Sequence, residues 1–185
     1  MGRARRPWSR RRWVIATVLL VLVCAFSIAT ARLFVWPSLP PLPEQADAIV
    51  QLGGPGNRES TALALARDGL APMLVQSTYA EDLIDDGECL PPVPDVVTLC
   101  FHPDPNTTRG EAQAIARFAE EYGWRSIILV TTPDQAWRAS VRVSRCFDGD
   151  IFVATTPLPH RLLWLRQIPY QWGATAKAFT VETDC

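Results

Sequence analysis

Hydrophobic positions along the chain form three kinds of run. The first, Trp13 to Ala31 (WVIATVLLVLVCAFSIATA), is apolar on every side and carries no charge. Nineteen helical residues extend roughly 28 Å, close to the ~30 Å hydrocarbon thickness of a bilayer. Arg32 interrupts the run and Leu33-Phe34-Val35-Trp36 resume it. The second kind is short and continuous: Ala48–Leu52, Met73–Ser77, Val96–Phe101, Ser126–Thr131 and Ile151–Thr155 read as strands buried on both faces. The third kind has helical spacing: Glu59–Asp68 stopping at Gly69, Thr108–Tyr122 stopping at Gly123, Pro133 to about Arg145, and a last helix around Gly173–Val181.

Strands alternating with helices predict an α/β fold: a Rossmann-like, mainly parallel sheet of about five strands with helices on both faces, preceded by one transmembrane helix. The boundaries expected are a basic cytoplasmic tail (1–12), a transmembrane helix (13–35), a Pro-rich spacer (36–45) stiff enough to hold the domain off the bilayer, and an exported α/β domain (46–185). Residues 79–94, with five acids and three prolines, read as a loop or a short, poorly specified helix.

Charge sharpens the membrane reading. Six arginines precede the apolar run and no acid appears until Glu44, whereas from Trp36 onward 11 basic and 19 acidic residues leave a balance of −8. A basic tail before an apolar helix stays cytoplasmic, which puts the domain outside, in a single-pass cell-membrane protein. An acidic body excludes nucleic acid as a partner. A cleaved signal peptide is the rival, since Ala29-Thr30-Ala31 is a passable cleavage site; the length of the run favours a retained anchor. Both place the domain in the same compartment. There, Cys89, Cys100, Cys146 and Cys185 can form two disulfides, expected as Cys89–Cys100 and Cys146–Cys185. Their spacing suggests no metal site.

In parallel sheets, ligands bind beyond the carboxyl ends of the strands. After the first strand, Gly53-Gly54-Pro55-Gly56-Asn57-Arg58 offers backbone N–H groups and a guanidinium to an anion. The second strand ends at Ser77-Thr78. After the third, Asn106-Thr107-Thr108-Arg109-Gly110-Glu111 opens a helix; a capping box from Thr108 to Glu111 explains the spacing structurally, and hydroxyls aimed at a ligand explain it functionally. After the fourth, Thr131-Thr132-Pro133-Asp134-Gln135 leads to Arg138 one turn into the helix. His102 and His160 are isolated; Trp124 and Trp137 occupy core positions, while Trp164, Tyr170 and Trp172 are candidates for a membrane-proximal or partner surface.

DAIVQLGGPGNR, APMLVQST, NTTRGEA and ILVTTPDQAWRA, in that order over roughly residues 46–156, resemble the YdcF/SanA/ElyC-like family of bacterial proteins. The resemblance implies a Rossmann-like domain, often membrane-anchored, linked to envelope integrity and to peptidoglycan or surface-polysaccharide metabolism. It places Asp47, Gly53, Gly54, Arg58, Thr108, Thr131, Thr132 and Arg138 on family positions. S-adenosylmethionine, suggested for a cytoplasmic-type relative, has no obvious supply outside the cell, and no cofactor is expected. Two positions depart from the pattern. The family histidine falls on Gln135, which cannot act as an acid or base near neutral pH, and a gap-free alignment puts the family glutamate on Gly110, with Glu111 one place late.

The expectation is a membrane-anchored envelope protein that binds an anionic ligand, phosphate- or carboxylate-bearing, polyprenyl-linked or nucleotide-like. The binding set is Gly53, Gly54, Asn57, Arg58, Ser77, Thr78, Asn106, Thr107, Thr108, Arg109, Thr131, Thr132, Gln135 and Arg138. If the domain is an enzyme, Glu111 or Asp47 is the base. Loss of the histidine tilts the reading toward binding. The alternative is a non-catalytic scaffold or regulator of envelope machinery, acting through envelope-biogenesis proteins; arginines that converge on one pocket would argue against it.

Overall fold

The computed structural model of the chain describes residues 10–78, 90–159 and 162–185. Five strands, β1 (Ala48–Gln51), β2 (Met73–Ser77), β3 (Val97–Phe101), β4 (Ser126–Thr131) and β5 (Asp150–Thr155), form one sheet in the order β3-β2-β1-β4-β5. Every pairing is parallel, so the sheet is of the Rossmann-like kind the sequence predicts. The expected Cys89–Cys100 bridge and most of the acidic stretch 79–94 fall on residues outside those described.

Side-chain alternation divides the core in two. On one face Ala48, Val50, Leu52, Ile127 and Leu129 pack under α3 (Thr108–Tyr122) and α4 (Pro133–Val143), through Ala112, Ile115, Ala136, Ala139 and Val143. On the other, Ile49, Leu74, Ile128 and Val130 pack under α2 (Arg58–Arg67), through Ala62, Leu63 and Ala66. The two central strands β1 and β4 therefore send their following helices to opposite faces. That reversal opens a crevice beyond their carboxyl ends, the usual ligand position in such sheets.

The first element is the apolar helix α1 (Arg10–Thr30), continued by a π-helical turn, Ala31–Val35. It is long and apolar enough to cross a membrane, and Trp13, Leu20, Leu22 and Ile28 stand exposed along it. Its far end does not stand clear of the domain as a stiff spacer would require. Phe34 is fully buried, the π-helical turn packs on α4, and Leu39 lies against the main core. Segment 36–45 thus lies along the domain; burying an aromatic side chain outweighs keeping the connection free.

The last helix, α5 (Leu163–Thr180), is twice as long as the sequence suggests, because Pro169 lies inside it. Proline removes only one N–H from the ladder, and packing of Gln171, Thr175 and Ala178 against the body holds the helix through it. Cys146 and Cys185 are disulfide-bonded, tying the C-terminus down as expected.

Candidate functional site

A cavity of about 560 Å³ opens at the carboxyl ends of β1 and β4, walled by the loops after them, the start of α3, one face of α4 and one face of α5. Six cationic side chains line it (Arg58, Arg109, Arg138, Arg142, Arg166 and Lys177) against two acids, Asp134 and Glu182. A cavity with that balance, in a body otherwise rich in acid, is suited to an anion.

Arg58 and Arg138 both reach this cavity, and they do different things there. Arg58 is 2% exposed and N-terminal in α2. Its Nε donates to the Pro55 carbonyl (3.1 Å), Nη1 to the carbonyls of Leu52 (3.0 Å) and Gly53, and Nη2 to Thr132 Oγ1 (3.1 Å) and Gln135 Oε1 (3.0 Å). These contacts use all five donors of a guanidinium. Arg58 therefore fastens the glycine loop to the start of α4. Gly54, with φ +127°, is required beside it, since a Cβ there would meet Nη2 at 2.8 Å.

Arg138 is 7% exposed. Its Nε donates to Gln171 Oε1 (2.9 Å) and Nη1 to Thr108 Oγ1 (3.0 Å). Its other three N–H groups have no hydrogen-bond acceptor among the described residues, and Arg138 is one of the residues that line the cavity. Burial lowers its pKa from the usual arginine value, opposed by Tyr170, Glu111 and Asp134. An arginine oriented by two fixed acceptors, with donors to spare, has the chemistry to receive an anion without rearranging.

Gln135 joins the two arginines. Its Oε1 accepts from Arg58 and from Thr131 Oγ1 (3.2 Å), and its Nε2 donates to Thr108 Oγ1 (3.2 Å), which also accepts from Arg138. A glutamine suits this post because it accepts and donates at once without a charge.

Glu111 is fully buried behind the cavity wall. Oε1 accepts the Gly53 N–H at 2.6 Å, and Oε2, like the Ser77 hydroxyl, has no hydrogen-bond partner among the described residues. Burial pushes its pKa up, partly opposed by the Gly53 amide, Ser77 and the charges of Arg58 and Arg138. The capping box does not form. Thr107 is the N-cap of α3, accepting from the Gly110 amide at 3.4 Å, which leaves Thr108 free for Gln135 and Arg138 and Glu111 free for Gly53.

The remaining predicted residues separate clearly. Asn106, Thr107 and Arg109 line the cavity, though Arg109 also pairs with Asp184 (2.8 Å). Thr131 and Thr132 are fully buried beneath it. Asn57 caps α2 by accepting from Ser60 N and does not line the cavity. Ser77 and Thr78 are buried at the end of β2, outside the lining; His102 Nδ1 bonds the Thr78 carbonyl there. Asp47 must be removed from the site. It precedes β1, at the opposite end of the sheet, where its carboxylate accepts from Arg125 N, Ser126 N and Ser126 Oγ at 2.7, 2.8 and 3.0 Å. The Arg125 amide leads the contacts that lower its pKa. Six residues of extended chain put it roughly 20 Å from Gly53, so it fastens β1 to β4.

Several lining residues were not singled out from the sequence. Gln171 of α5 bridges Arg138 to Asp134, donating to Asp134 Oδ2 at 2.8 Å. The spacing Asp134, Arg138, Arg142 on one helix face was the available signal for Arg142. Nothing local marks Gln171 or Arg166, which reach the cavity only through the long α5; Tyr170, expected on a membrane-proximal or partner surface, lines the cavity with them. Comparison with protein-family models, curated proteins and solved structures finds no match.

Proposed function

We propose that the chain is a membrane-anchored envelope protein whose extracytoplasmic domain binds a phosphate- or carboxylate-bearing small molecule in peptidoglycan or surface-polysaccharide biogenesis. The observation that carries the binding part is Arg138: almost fully buried, oriented by Thr108 and Gln171, in the lining of a cationic cavity, with three N–H donors that meet no acceptor among the described residues. The ligand's anionic group docks on those donors, and Arg166 and Lys177 add charge from α5. The arginines converge through Gln135, which counts against a pure scaffold. The envelope setting rests on the arginine-flanked apolar helix and on the family resemblance.

An enzymatic reading draws on one observation, the unpartnered Oε2 of buried Glu111. Its carboxyl does not line the cavity, so the favoured role is to hold the Gly53 amide in place.

The test is a thermal-shift screen of the full chain in detergent against nucleotides, sugar nucleotides, prenyl pyrophosphates and S-adenosylmethionine, with Arg138→Ala alongside. The expected result is stabilisation of the wild type by a phosphate-bearing compound and none of the variant. Equal shifts in both proteins overturn the assignment.

A further inference from the structure

Helix α5 presents a second face, turned away from the cavity, that contacts the apolar N-terminal helix. The Trp172 ring stacks on Phe26 of α1 (centroids 5.1 Å apart) and meets Phe34 edge-on (5.3 Å), and its Nε1 donates to Thr30 Oγ1 at 3.1 Å. Phe26 lies five residues inside the outer end of the apolar run, roughly 8 Å of helix. If that run spans a bilayer, Trp172 sits at the lipid interface, where tryptophan is favoured.

Leu165 and Ile168 precede Trp172 by seven and four residues, so they share its helix face. Leu165 is 76% exposed, and Leu162 just before the helix is 77% exposed. Charge supports the same conclusion independently. Between Asp150 and Glu182 there is no acidic residue, while Arg161, Arg166 and Lys177 are basic; the rest of the chain from Trp36 onward carries 8 basic against 19 acidic residues. The longest acid-free stretch of the body, residues 151–181, is thus net basic and includes the helix face that touches the apolar helix.

We propose that the N-terminal half of α5 is a second membrane contact: Leu162, Leu165 and Ile168 sit in the lipid interface beside α1. The occupant of this face is the bilayer itself. The inference rests on the membrane-anchor reading of α1, and it has a consequence for the site. The cavity face of the same helix carries Arg166 and Tyr170, so the cavity lies one helix away from the lipid.

The test uses the full chain with Cys24→Ser, reconstituted in phosphatidylglycerol–phosphatidylcholine vesicles, with an environment-sensitive fluorophore on single cysteines. Leu165→Cys and Leu162→Cys report the proposed contact, Val21→Cys the spanning helix, and Glu120→Cys the exposed far side. The expected result is blue-shifted emission quenched by brominated lipid at 165, 162 and 21, with only aqueous iodide quenching at 120. Lipid quenching at 21 with iodide quenching at 165 and 162 overturns the proposal and leaves the anchor intact. Protection of 165 and 162 from both quenchers also overturns it, since protein then covers the face. Iodide quenching at 21 overturns the anchor reading and this proposal with it.

Discussion

At the scale of single residues, two arginines that look alike in sequence have opposite duties. Both follow a strand end and both reach one cavity, yet Arg58 spends five donors on its own protein while Arg138 spends two, leaving three for the proposed ligand. Sequence spacing located both arginines; the number of acceptors around each, which separates holding from binding, arises only when loops distant in sequence meet. Arg58→Ala leaves a set of buried acceptors unsatisfied and is expected to cost about 3 kcal/mol or more, measured by chemical denaturation. Arg58→Lys should rescue little, since an ammonium cannot reproduce the fork. Glu111 gives a pH signature. Burial raises its folded pKa above the ordinary 4.5, so the folded state binds the proton more tightly. The associated stability is present below about pH 4.5 and is lost as pH rises through the raised value. Glu111→Gln keeps an acceptor for Gly53 and should flatten that decline in melting temperature; a profile as steep as wild type would rule out Glu111 as its source.

At the scale of elements, strands and internal helices were legible because their periodicity is strong, and the exceptions have local causes. Helix α3 starts at Thr108 as its spacing predicts, but its N-cap is Thr107 and not the Thr108 of the expected capping box. Pro105 and Gly110 explain it: a Cβ at Gly110 would lie 2.0 Å from the Pro105 carbonyl oxygen, so only glycine lets the chain fold back this tightly before the helix. A glutamate cannot stand at that position, and Glu111 reaches Gly53 from the next one. Gly110→Ala is therefore expected to destabilise the domain by roughly 1–3 kcal/mol, as overpacking does, and a thermal melt within a degree of wild type would contradict the crowding. Helix α5 was read too short for a different reason. A proline inside an otherwise helical stretch reads as a boundary, and the tertiary contacts of Gln171, Thr175 and Ala178 that overrule it are invisible locally.

At the scale of the whole molecule, the sheet order and the reversal between β1 and β4 create the crevice, and the C-terminus closes one side of it. Arg109 pairs with Asp184, Arg142 with Glu182, and Cys146 is bonded to Cys185. Opening a disulfide that closes a loop of 39 residues removes about 4 kcal/mol in the chain-entropy view. Cys146→Ser with Cys185→Ser should lower the unfolding free energy by up to that amount, read from a denaturant midpoint. Anion recognition by Arg138 is the central claim, and isothermal titration tests it most directly. Full-length wild type and Arg138→Ala would be titrated with whichever phosphate-bearing compound stabilises the wild type most. The expected result is a loss of roughly 30-fold in affinity, about 2 kcal/mol for charge-assisted hydrogen bonds, with the melting temperature of the variant changed far less than that of Arg58→Ala. Affinity undiminished in Arg138→Ala would contradict the claim and place the anion, if one binds, elsewhere in the cavity.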